Sequence, residues 1–93
     1  MKHYNLLMTA YTRIGNLLEI LLDELESEYY SSKNKCFKFS GNIGDCIISV
    51  HCIETTLHKL YVVMYMADIY MEFDLYDSDD LEKCIEDIMS VIR

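Results

Sequence analysis

Ninety-three residues are enough for one domain with one thin core, so most apolar side chains are committed to packing and little remains for an elaborate active site. A hydrophobic fraction of 52% against 26% charged residues excludes a disordered acidic tail. Sixteen acids against eight bases give a net charge of −8, which makes nucleic acid and anionic membranes poor partners and a basic protein a good one.

From Tyr4 to Tyr30 the apolar residues recur at three and four: Leu7, Tyr11, Ile14, Leu17/Leu18, Leu21, Leu25 and Tyr29, with Glu19, Asp23 and Glu26 elsewhere. This spacing predicts one long amphipathic helix. Gly15-Asn16, with Glu19 three residues on, has the form of a helix start and marks a place for a break. The polar run Ser31-Ser32-Lys33-Asn34 ends the helix.

Short β-like runs follow. Cys36–Ser40 alternates, Gly41-Asn42-Ile43-Gly44 reads as a turn, and Cys46–Ile53 is rich in branched residues. Glu54-Thr55-Thr56 predicts a second turn before a strand over Lys59–Met66. Ala67-Asp68 predicts a tight reversal into Ile69–Tyr76, because Lys59–Leu75 unbroken would far exceed the usual strand of about 5–6 residues. Ser78 then caps a last helix, with Asp79 and Asp80 in the first turn where the helix dipole favours negative charge. Its stripe is Leu81, Cys84/Ile85, Ile88/Met89 and Ile92. The fold expected is a single α+β domain over residues 1–93, in two layers. An antiparallel sheet of three or four strands carries the long N-terminal helix and the C-terminal helix on one face. No internal repeat or low-complexity segment interrupts it.

Apolar stretches fall well short of the roughly 18 residues of a spanning helix, and Met1–Tyr11 lacks the pattern of an export signal. The expectation is a soluble cytoplasmic protein with Cys36, Cys46, Cys52 and Cys84 reduced. The lack of proline and the wealth of Ile, Tyr, Asn and Lys hint at AT-rich coding DNA, as in many bacteria, their phages and other viruses.

Cys46, His51, Cys52 and His58 fall within thirteen residues, yet neither of the paired spacings of structural zinc is present. In a strand, Cys46 and Cys52 point to one face and His51 to the other. A calcium loop starting at Asp77 would have Asp79 at its third position, but Leu81 at the fifth, Glu82 for glycine at the sixth and Ile88 at the twelfth. No Gly-rich phosphate loop, H-E-x-x-H or G-x-S-x-G occurs, and Cys52 beside His51 is a sequence neighbour only. No cofactor, metal or catalytic residue is expected.

Charge and aromatics carry the functional reading. Between Asp68 and Asp87 there are nine acids against Lys83 alone, which accounts for the whole net charge; elsewhere acids and bases balance. A net charge confined to one segment gives a directional field. If Ile69, Met71, Phe73 and Leu75 face the helices, then Tyr70, Glu72, Asp74 and Tyr76 stand on the open sheet face, beside Tyr61, Val63 and Tyr65 of the preceding strand. Aromatics on a sheet can stack bases, but that needs basic residues for the backbone, and here the charge has the wrong sign. The same tyrosines can anchor a protein interface while the acids steer a basic partner. The expected partner surface comprises Tyr61, Tyr65, Tyr70, Glu72, Asp74, Tyr76, Asp77, Asp79 and Asp80.

In size, in the charge gathered at Asp68–Asp87 and in its helix–strand–helix order, the chain resembles the small acidic phage proteins that inhibit bacterial defence nucleases, anti-CRISPR proteins in particular. The resemblance rests on profile without a shared motif and transfers no functional residue. It implies a non-enzymatic inhibitor that covers the basic groove of a nucleic-acid-binding protein in a bacterial or phage-infected cell. The other class the sequence allows is a homodimeric adaptor, immunity or secretion-chaperone-like protein that pairs through the open sheet face or the first helix, with the acids as soluble edge protection.

Overall fold

The computed structural model describes residues 2–31 and 33–92. The chain forms α1 (Lys2–Leu21), β1 (Asp23–Ser31), β2 (Lys35–Ile43), β3 (Cys46–Glu54), β4 (Leu60–Met66), β5 (Ile69–Leu75) and α2 (Ser78–Ile92). The strands make one antiparallel meander in sequence order. The α+β class and the flanking helices are those expected; the strand count is five, not three or four.

The additional strand is β1, which occupies the second part of the expected long helix. Leu25 and Tyr29 are four apart, and four residues is close to one helical turn but also twice the strand repeat. Glu24, Glu26, Glu28 and Tyr30 alternate with Leu25, Ser27 and Tyr29, and the strand reading prevails because β1 finds a partner in β2. Of the polar run meant to end the helix, Ser31 closes β1, Lys33 and Asn34 connect it to β2, and Ser32 lies outside the described residues.

Helix α1 runs unbroken through Gly15. A Cβ at Gly15 would stand 3.0 Å from the Phe39 ring, and one at Gly41 3.0 Å from Cβ of Leu22, so both glycines serve close packing of α1 and its exit onto the sheet. Gly41 accordingly sits inside β2, and the turn falls at Gly44-Asp45, where Gly44 has φ +59°.

Leu7, Ala10, Ile14 and Leu18 recur on one face of α1, and Leu81, Cys84, Ile85 and Ile88 on one face of α2. Both stripes close on Phe39, Ile48, Val50, Cys52, Leu60, Val62, Met64 and Leu75, which alternation sends to the same side of the sheet. Helix α1 lies over β1, β2 and β3, and α2 over β5. Arg13 of α1 pairs with Glu82 of α2, tying the helices across their exposed sides. That hydrogen bond holds the Glu82 carboxyl below the usual carboxylate range.

The start of α2 is capped by Asp77 rather than Ser78. The Asp77 Oδ1 accepts the Asp80 N–H at 3.0 Å, while Asp80 Oδ2 accepts the N–H groups of Asp77 at 3.2 Å and Tyr76 at 2.8 Å. This reciprocal arrangement is a capping box with aspartate in both roles.

Candidate interaction surface on the open sheet face

The side of the sheet away from the helices is built by the alternate residue of every strand. Pairing aligns them in three full rows, Tyr30, Cys36, Ile53, Tyr61, Asp74; Glu28, Lys38, His51, Val63, Glu72; and Glu26, Ser40, Ser49, Tyr65, Tyr70; a shorter row, Asn42 and the exposed Ile47, continues the face at the β2–β3 turn. Both margins of this face are acidic, Glu26 and Glu28 on β1 and Glu72 and Asp74 on β5. Its centre carries His51, Ile53, Tyr61, Val63 and Tyr65.

The centre is rigidified by ring contacts. His51 meets Tyr65 edge-on at 5.9 Å between ring centroids, and Tyr65 meets Tyr70 at 5.1 Å. Such edge-to-face pairs contribute about 0.5–1.5 kcal/mol each beyond area burial. Val63, although on the open face, is only 5% exposed, so its neighbours already shield it from water. Tyr65 and Tyr70 remain 48% and 55% exposed and offer ring area to a partner.

Each margin has a tyrosine bound to a glutamate two residues away on its own strand. The Tyr70 hydroxyl donates to Glu72 Oε1 at 2.8 Å, and this bond raises the Tyr70 pKa above its ordinary value. Tyr30 is raised in the same way by its bond to Glu28. Both phenols therefore stay protonated beside their carboxylates, and both carboxylates are oriented by a donor.

Cys36 Sγ and His51 Nδ1 lie 3.9 Å apart on this face, a pair that sequence separation conceals. Burial pushes the thiol up, and burial followed by the charge of Lys38 pushes the imidazole down. Both groups favour their neutral forms, the opposite of an activated thiolate–imidazolium pair. Cys52 lies on the helix side with its thiol raised by burial, and burial pushes Cys84 up to about 12. All four cysteines are free. Among the described residues no three His, Cys, Asp or Glu side chains gather as a metal site, and no helix is long and apolar enough to cross a membrane.

Of the residues expected at the surface, Tyr61, Tyr65, Tyr70, Glu72 and Asp74 share the open face. Tyr76, 72% exposed, lies beyond the end of β5, and Asp77, Asp79 and Asp80 belong to the start of α2, where Asp77 and Asp80 are engaged in the cap. The acidic segment is thus divided between two layers. Glu26, Glu28 and Tyr30 take the place of the α2 acids on the open face. Sequence reasoning missed them by reading residues 23–30 as helix, although their period-two alternation was the available signal.

No protein-family model, curated protein or solved structure matches the chain.

Proposed function

We propose that the chain is a non-enzymatic binding protein whose open sheet face docks on the basic, nucleic-acid-binding surface of a partner protein and keeps nucleic acid out of it. One observation carries the reading: a central aromatic stripe lies between two acidic edge strands on a single uncovered face. Half-exposed tyrosines give contact area at low entropic cost, and carboxylates at both margins give a field that attracts a basic surface and repels phosphate. The mode of action is occlusion, as the resemblance to small acidic phage inhibitors implies, and its place is the cytoplasm where such partners work.

Pairing of two copies through this face is opposed by the same charges. A two-fold axis between sheets with aligned strands puts β1 over β1 or β1 over β5, and acids meet acids either way. The homodimeric adaptor would need strands crossed near a right angle, or pairing through α1 instead of this face.

The test is affinity capture from the native cell with three forms of the protein: wild type, Glu26→Gln/Glu28→Gln/Glu72→Gln/Asp74→Gln, and a control with Glu86→Gln/Asp87→Gln on α2. The expected result is a basic protein held by wild type and control, released by DNA or RNA, and bound by the open-face variant about tenfold or more weakly, equivalent to about 1.4 kcal/mol. Equal capture by all three forms, or a complex that still takes up nucleic acid, overturns the proposal.

A further inference from the structure

The sheet has two free edges, because β1 and β5 each have one neighbour. A free edge presents unpaired backbone N–H and C=O groups to any extended chain that can reach it. The two edges differ in how readily they can be used. On β1 the register shifts between Asp23 and Glu26, and Glu24 stands at φ 54°, which breaks the row of edge groups. On β5 all seven residues pair one-to-one with β4 without a shift.

The register also says which residues of β5 look outward. Met66 and Ile69 close a hairpin over the two-residue loop Ala67-Asp68, with Ala67 at the positive φ of 52° that such turns require. In a hairpin of this length the closing pair exchanges both backbone bonds, and bonding then alternates along the strand. Ile69, Met71, Phe73 and Leu75 therefore direct their backbone groups to β4, while Tyr70, Glu72 and Asp74 direct theirs to the free edge. These same three residues carry the phenol and carboxylates of the open face. A chain that pairs with them is brought beside the acids by the pairing itself.

What such a chain must look like follows from the two sides of β5. On the open side Glu72 and Asp74 ask for basic side chains two residues apart. On the helix side Met71 and Phe73 are half-buried and Ile69 is 42% exposed, so the intervening positions would extend the apolar layer under α2. A second copy of this chain does not meet the requirement. Pairing of β5 with β5, or of β5 with β1, lines up Glu72 and Asp74 with carboxylates on the same face, which is unfavourable.

We infer that the β5 edge is a strand-addition site for an extended segment of the partner in which basic and apolar residues alternate. The inference rests on the reading that the partner is basic, and adds how it is held: backbone pairing supplies affinity, and alternation on the two sides supplies selectivity.

The test uses the whole protein and a short capped peptide of alternating lysine and valine, in three forms: unmodified, N-methylated at every lysine, and N-methylated at every valine. Strand addition requires the peptide N–H groups of one parity only, lysine for antiparallel and valine for parallel pairing. The expected result is that one methylated series binds about tenfold or more weakly, the other stays near the unmodified peptide, and amide exchange slows at Tyr70, Glu72 and Asp74. Equal binding by both methylated series, with resonance changes centred on Tyr61 and Tyr65, overturns the edge site while leaving the open-face reading standing. No binding of the unmodified peptide, or exchange unchanged at the three edge residues, overturns the inference as well.

Discussion

On the helix-covered side of the sheet Ile48, Val50, Val62 and Met64 are fully buried, whereas on its other side Tyr65 and Tyr70 keep about half their surface in water. Both sets come from the same period-two alternation, so the difference lies in what each set must satisfy. The covered set is constrained by volume, and its buried charge, Glu54, sits at the end of β3, 3.9 Å from its cross-strand partner Lys35 on the same side. The open set is free of that constraint and holds nearly all the chemistry of the sheet: both tyrosine–glutamate pairs, the Cys36–His51 contact and four acids at two margins. A fold of this size can devote one face to stability and leave the other for recognition.

The sharpest way to break this division is to truncate one residue on each side of a single strand. Met64→Ala should cost about 2–5 kcal/mol, because its side chain is fully enclosed and a cavity remains. Tyr65→Ala, its neighbour on the opposite face, should cost about 1 kcal/mol, mainly its edge contacts with His51 and Tyr70. Urea unfolding measures both, and equal losses would contradict the division. A smaller effect probes the junction between the layers: Asp80→Ala removes the acceptor for the Tyr76 and Asp77 N–H groups and should cost about 1 kcal/mol.

The smallest effect concerns protons. The fold favours neutral His51, so its folded pKa lies below its unfolded value. Below the unfolded pKa of about 6.5 the unfolded chain binds the extra proton first, so stability is full above that pH and declines as pH falls toward the folded pKa. His51→Gln should flatten the part of a denaturation profile that falls away below about pH 6.5. An unchanged slope would place the imidazole in an environment no different from water.

Much of the architecture was legible, and the failures have physical causes. Branched runs bounded by turn residues located β3, β4 and β5, and the length limit on a single strand correctly split Lys59–Tyr76 at Ala67-Asp68. The amphipathic stripe of α2 was equally plain, although its cap is Asp77 and not the expected Ser78, since both are good acceptors at adjacent positions. Residues 23–30 were misread because Leu25 and Tyr29 satisfy a helical turn and a doubled strand repeat at once. Gly41 was misread because a glycine needed for close approach to Leu22 leaves the same letter as one needed for a turn. For the surface, alternation grouped Tyr61, Tyr65, Tyr70, Glu72 and Asp74. Period-two alternation puts Glu26, Glu28 and Tyr30 on one side of a strand, but placing them opposite Glu72 and Asp74 requires knowing that residues 23–31 form that strand and lie at the far edge of the sheet.

The central claim, that the open face is the contact surface, is tested most directly by hydroxyl-radical footprinting of the protein alone and in complex with its captured partner. The account predicts that Tyr65 and Tyr70 lose reactivity in the complex, while Ile20 and Leu57, 82% and 88% exposed outside this face, keep theirs. Protection of Ile20 or of the exposed side of α2, with Tyr65 and Tyr70 as reactive as in the free protein, would contradict it.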